Sequence, residues 1–211
     1  MHSESMTASP NPLSDGAELI ALDEQAVRTS VEVVAQVTTA DLARPTPCAG
    51  WSLRDLLAHM ATQHHGFAAA SRGEADPAWW ELRSLGDDPV GSYRSAAEHV
   101  LAAFAADGVL SRSFPLPEIS ADRPFPAAQA ISFHFIDYVV HSWDVAKTLD
   151  LAVEFEPRLL DVALAVARAV PGGESRLVPG AAFAPEVAWS SGSRLDEIVA
   201  VLGRAPDWSR D

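Results

Sequence analysis

Cysteine is almost missing from this sequence; Cys48 is the single one. One thiol excludes an intrachain disulfide framework and any cysteine-rich zinc module. At 211 residues the chain is long enough to bury a full core without such staples. Lysine is as scarce: Lys147 is the only one among fifteen cations. Those cations face twenty-nine carboxylates, for a formal net charge of −14. Such a field repels phosphate backbones, so no nucleic-acid partner is expected. It equally disfavours an anionic membrane surface. No run approaches the roughly 18 uncharged apolar residues of a membrane-crossing helix. The opening MHSESMTASPNPLSDG lacks the basic and apolar regions of a secretory signal. Residues 1–13 are expected to be a flexible arm, residues 14–211 one domain, and the location cytoplasmic. Also missing are G-x-S-x-G, a phosphate-binding P-loop, a G-x-G-x-x-G in strand context and H-E-x-x-H.

What is present is helical periodicity. Leu19, Ile20, Ala26, Val27, Val31, Val34 and Val37 recur at helical spacing from about Ser14 to Thr38, behind the capping oxygens of Ser14 and Asp15. Ser52, with Asp55 three residues on, opens a second helix to about Ser71, before Gly73. A third is predicted from Val90 to Asp107 and a fourth from Pro126 to Leu149. A fifth runs from Pro157 to Val170, and a short last one from Leu195 to Leu202. The fourth is apolar on nearly every side and therefore buried. The stretch SRSFPLPEISADRPFP reads as loop, and AFAPEVAWS as a short strand or an extended arm. The fold class is all-α: an up-and-down four-helix bundle with a C-terminal extension.

The chemistry concentrates on two helices. His134, Asp137 and His141 share one stripe of the buried fourth helix, since Asp137 and His141 lie about 40° apart at about 100° per residue. A buried carboxylate needs a partner. Asp137 and His141 are either an internal ion pair or two metal ligands at i and i+4. The second helix carries His59, His64 and His65. Periodicity puts His64 at the centre of the apolar stripe and His59 on its flank. Two histidines and one carboxylate would suit a divalent first-row metal with an open coordination position. Cys48, in a proline-rich loop, has no base adjacent in sequence.

RPTPCAGWSLRDLLAHM resembles the T-x-P-C-x-G-W-x-x-x-x-L-L-x-H opening of the DinB/YfiT-like superfamily. More closely, it looks like the branch that includes the N-terminal domain of mycothiol-dependent maleylpyruvate isomerase. FIDYVVHSWDVA resembles that branch's D/E-x-x-x-H-G-W-D-L-A, and SRLDEIVAVLGRAPDW its closing RL-x-x-x-LGR-x-P-x-W. The resemblance implies a four-helix bundle holding a divalent metal, usually zinc, at one end, with His59, Asp137 and His141 as ligands. Asp137 stands where the isomerase has Glu, Ser142 where Gly is usual, and the isomerase's separate C-terminal domain is expected to be absent.

The implied activity is that of a thiol S-transferase or thiol-assisted isomerase. A metal-bound thiolate, from mycothiol or a similar small thiol, would attack an electrophilic small molecule. His64 and His134 become candidates for orienting ligands or for acid–base work, and Arg72, Arg83 and Trp143 for substrate binding. A thiol-independent isomerase or cyclase and a non-catalytic metal or ligand carrier are the alternatives. The protein is expected as a monomer or homodimer.

Overall fold

The computed structural model describes residues 15–178, 181–190 and 192–210. The arm expected over residues 1–13 lies outside the described residues. Four long helices carry the fold: α1 (Gly16–Val34), α2 (Leu53–Ser71), α3 (Pro89–Phe104) and α4 (Ala127–Thr148). Two further helices follow, α5 (Pro157–Ala169) and α6 (Arg194–Val201). The all-α four-helix bundle with a C-terminal extension is thus what the chain forms.

Local chemistry sets the helix ends. Asp15 accepts from the N–H groups of Ala17 and Glu18 at the start of α1. Ser52 and Asp55 form the reciprocal capping box at the start of α2, and Gly73, at φ 83°, takes the left-handed turn beyond its end. Helix α1 stops four residues short of the expected Thr38. Thr38 instead caps a new 3-10 turn, its N–H and hydroxyl both donating to Asp41. Helix α3 likewise ends at Phe104, before Gly108 turns the chain left-handed into a 3-10 turn at Val109–Ser111.

The helices close into a ring in the order α1, α4, α2, α3. Helices α1 and α2 therefore stand across the bundle from one another rather than side by side. The centre is filled by large, fully buried side chains, among them Tyr93, Tyr138, Phe104, Phe135, Leu56 and Met60. The proline-rich segment read as loop contains a two-stranded antiparallel pair, Ser113–Phe114 with Phe125–Pro126. Phe114 and Phe125 sit opposite each other and are both buried, so burial rather than any alternating pattern makes the pair. Residues 181–190 form no strand; the segment is tied to α6 by the Val187 N–H on the Ala200 carbonyl. No helix of the described residues is long and apolar enough to cross a membrane.

Gly66, inside α2, lies under the indole of Trp80: a Cβ there would come within 2.6 Å of the ring. In an ordinary helix interior Gly→Ala stabilises by about 1 kcal/mol. Here the sign reverses. Gly66→Ala is expected to cost about 1–3 kcal/mol through overpacking, measured by denaturant unfolding. Adding Trp80→Ala should remove most of that penalty.

Candidate metal centre

Helices α2 and α4 run antiparallel, so that His59 meets His141 near one end while His64 meets His134 deeper in. His59 presents its ring to His141 edge-on, with centroids 5.3 Å apart. On α4, Asp137 Oδ1 lies 3.3 Å from His141 Nε2. The ligand-capable atoms of His59, Asp137 and His141 all lie within 4.8 Å of one another. Ligand bonds of about 2.0–2.2 Å in tetrahedral geometry set donor atoms roughly 3.4 Å apart, close to the Asp137–His141 separation. The set is partly open: the Asp137 side chain is 21% exposed, whereas His141 is buried.

His141 is held on its other side as well. Its Nδ1 is 2.9 Å from Asp144 Oδ2, and Asp144 is fully buried. Arg204, from the segment after α6, donates to Asp144 Oδ2 at 3.1 Å and to Oδ1 at 3.4 Å. The Cys48 thiol donates to the same Oδ2 at 3.2 Å, and Arg204 Nη2 donates to Cys48 Sγ at 3.4 Å. Cys48, His141 and Asp144 are thus a second group with metal-binding side chains within reach of one another. The Arg204 guanidinium already neutralises that group, however, and a second cation beside it would be repelled. The set of His59, Asp137 and His141 contains no such cation and suits a divalent metal.

The charges follow from these contacts. Burial, with the neighbouring charge of His141, pushes His59 down to about 4, so its imidazole is neutral at pH 7. Burial opposes ionisation of Asp137, but His141 outweighs it and holds the carboxyl down to about 2. Burial also works against the charged form of His141, yet Asp137 and Asp144 raise it well above the ordinary imidazole value. Arg204 likewise overcomes the effect of burial on Asp144 and keeps it ionised.

One turn places two of these residues. The Thr46 N–H donates to the Trp51 carbonyl and the Trp51 N–H to the Cys48 carbonyl, while Gly50 takes φ 81°. The turn sends Cys48 inward to Asp144 and lays Trp51 4.9 Å from the His59 ring, where the indole is still 37% exposed. Arg204 is aimed by its neighbour. Gly203 has φ 82°, and a Cβ there would come 2.5 Å from the Ala184 carbonyl oxygen. Asp144 and Arg204 both stand in segments whose sequence is distinctive, W-D and L-G-R, but nothing in that pattern says that they pair.

The other sequence candidates fall elsewhere. His64 and His134 are fully buried and hydrogen-bonded to each other, outside the cluster. His65 pairs with His99, rings 5.7 Å apart. Arg72 follows His59 by thirteen residues, about 20 Å along the helix, and binds Glu74 and His99. Arg83 lies over the Trp79 ring at 5.3 Å. Trp143 is buried about 160° round α4 from His141, with the Lys147 ammonium over its ring. The structure does not bring Arg72, Arg83 or Trp143 to the cluster. The cation it does bring is Arg204.

Fold and site together define a DinB/YfiT-like helical bundle. Residues 24–146 match the family described as mycothiol maleylpyruvate isomerase N-terminal domain, and the chain belongs to that family. An uncharacterized protein of Mycobacterium tuberculosis is 31% identical over 173 residues, covering 82% of this chain and 90% of that protein. The crystal structure of the mycothiol-dependent maleylpyruvate isomerase superposes with a TM-score of 0.58 at 16% identity, over 77% of this chain and 70% of that one. A histidine-to-alanine mutant of the isomerase gives 0.60 at 15% identity, over 92% and 82%. A match over 92% of the chain cannot stop at residue 146. The shared fold therefore reaches into the C-terminal extension.

Replacing Arg204 by Met leaves Asp144 buried without its cation. Stability should fall by about 3–5 kcal/mol in chemical unfolding. Asp144→Asn made together with it should recover part of the loss.

Proposed function

We propose that the protein is a metal-dependent enzyme, with a donor set that suits zinc, that transfers a small thiol to an electrophilic small molecule or uses the thiol to isomerise it. His59, Asp137 and His141 would hold the metal, with residues 14–211 acting as one cytoplasmic domain, alone or as a homodimer. The observation that carries the reading is the half-open donor set itself, two imidazoles and one carboxylate within 4.8 Å. A divalent cation in such a set supplies Lewis acidity that lowers a thiol's pKa, so that it reacts as thiolate.

The chain's own residues prepare that chemistry. His59 is already neutral and offers a lone pair. Asp137 supplies the single negative charge among the three ligands. Asp144 holds His141 Nδ1 and so turns Nε2 toward Asp137. The reacting sulfur has to come from a cosubstrate. Cys48, the only thiol, is engaged on the Nδ1 side of His141 with Asp144 and Arg204, away from the half-open face. Membership of the mycothiol maleylpyruvate isomerase N-terminal domain family supports mycothiol as that cosubstrate.

The test combines metal analysis with turnover. The purified protein should hold about one divalent metal per chain, and His59→Ala, Asp137→Ala and His141→Ala should each lose most of it. Turnover of monobromobimane should require mycothiol or another small thiol and should vanish in the same three variants. Full-rate turnover of an electrophile without thiol would replace this reading with a thiol-independent isomerase or cyclase. A metal-free, inactive protein would make it a carrier.

Metal affinity should also depend on pH. In the metal-free protein His141 keeps its proton well above the ordinary imidazole value, and that proton must leave for Nε2 to ligate. One displaced proton makes affinity rise about tenfold per unit between about pH 5 and about pH 7. His59, at about 4, adds no slope there. Titration with a chromophoric competitor at several pH values measures this.

A further inference from the structure

The bundle buries a second polar system that the proposed chemistry does not use. Asp23 on α1, His134 on α4 and His64 on α2 form a chain across three helices. His134 Nδ1 lies 2.6 Å from Asp23 Oδ1, and His134 Nε2 lies 3.1 Å from His64 Nδ1. None of the three reaches solvent. His64 lies flat on the Tyr138 ring at 4.0 Å, with 8° between the planes, and the Tyr138 hydroxyl donates to the Met60 carbonyl. His134 meets the rings of Phe67 and Phe104 edge-on. Three buried polar side chains cost more than apolar ones of the same size, so their arrangement is informative.

Sealed in this way, His64 and His134 cannot touch a substrate. Their position suggests another task. His64 follows His59 by five residues and His134 precedes Asp137 by three, so the pair lies in the layer directly beneath the candidate ligands. Apolar contacts tolerate small sliding of one helix along another, whereas a hydrogen bond is directional. Among the described residues, the hydrogen bonds between α2 and α4 are His64–His134 and Tyr138–Met60. We propose that the Asp23–His134–His64 chain is a positioning network. It sets the register of α2 against α4 and thereby holds His59 opposite Asp137 and His141. Asp23 orients the His134 ring, His134 fixes His64, and His64 fixes α2. The proposal rests on the metal reading for its function but not for its geometry.

Cobalt(II) titrated into metal-free protein provides the probe. His64→Leu should weaken cobalt affinity roughly tenfold or more and alter the visible absorption bands. His64→Asn, whose amide reaches the Nδ1 position, should restore affinity and bands. His64→Gln, whose amide reaches the Nε2 position, should not. Ser30→Ala is the control. It removes the α1 hydroxyl paired with Tyr93 of α3 at 2.6 Å, outside the α2–α4 boundary, and should lower Tm while leaving cobalt binding unchanged. Wild-type affinity and spectrum in both His64→Leu and His64→Gln would overturn the proposal. If His64→Leu does not fold, the Asn and Gln variants decide it. If wild-type protein binds no cobalt, the metal reading fails. The network is then judged by the ring 15N shifts of His59 and His141 in metal-free protein, which should move in His64→Gln and return in His64→Asn. Unmoved shifts would overturn it.

Discussion

The imidazole of His141 is gripped from both sides, and the site depends on that grip. Nε2 faces Asp137 and Nδ1 faces Asp144. Without Asp144 the ring could rotate about its side-chain bonds. With it, one nitrogen is committed and the other is aimed at the half-open face. The cost is a fully buried carboxylate. That cost is met from opposite ends of the sequence: Cys48 arrives from the turn before α2, and Arg204 from the segment after α6. The C-terminal extension is therefore part of the site's support rather than an appendage to a finished bundle.

The same division runs through the bundle. Its outer end carries the partly exposed donor set, whereas its middle carries a sealed histidine chain. Both are polar, but they are solvated differently. A set that is to take up a metal has to remain accessible and able to exchange protons. The inner chain is shielded from water, which would otherwise compete for its hydrogen bonds.

Much of this was legible in the sequence where the signal is local. Ser52 with Asp55, Gly73 and the i, i+4 spacing of Asp137 and His141 all act within one or two turns, and the structure has them as expected. The ring order of the helices was not legible. Helix α4 is apolar nearly all round and has no stripe to say which neighbours it will meet. The choice between His59 and His64 shows the limit of periodicity. The midline of the α2 stripe points to the bundle centre, where His64 is sealed, while His59 reaches α4 from the flank. Arg72 and Arg83 lie near the end of α2 in sequence, yet they bind elsewhere. The cation at the cluster, Arg204, is remote in sequence and is delivered by the backbone turn at Gly203.

The pairing of Asp144 with Arg204 spans sixty residues, and this has a consequence for synthesis. A ribosome adding about 5–20 residues per second takes roughly 3–12 seconds to move from one to the other. During that interval all four bundle helices have been made, but the carboxylate behind His141 has no guanidinium. The orientation of that ring is thus completed after the bundle that carries it, and the nascent protein passes through a stage in which its helices exist before the contacts that fix His141 do.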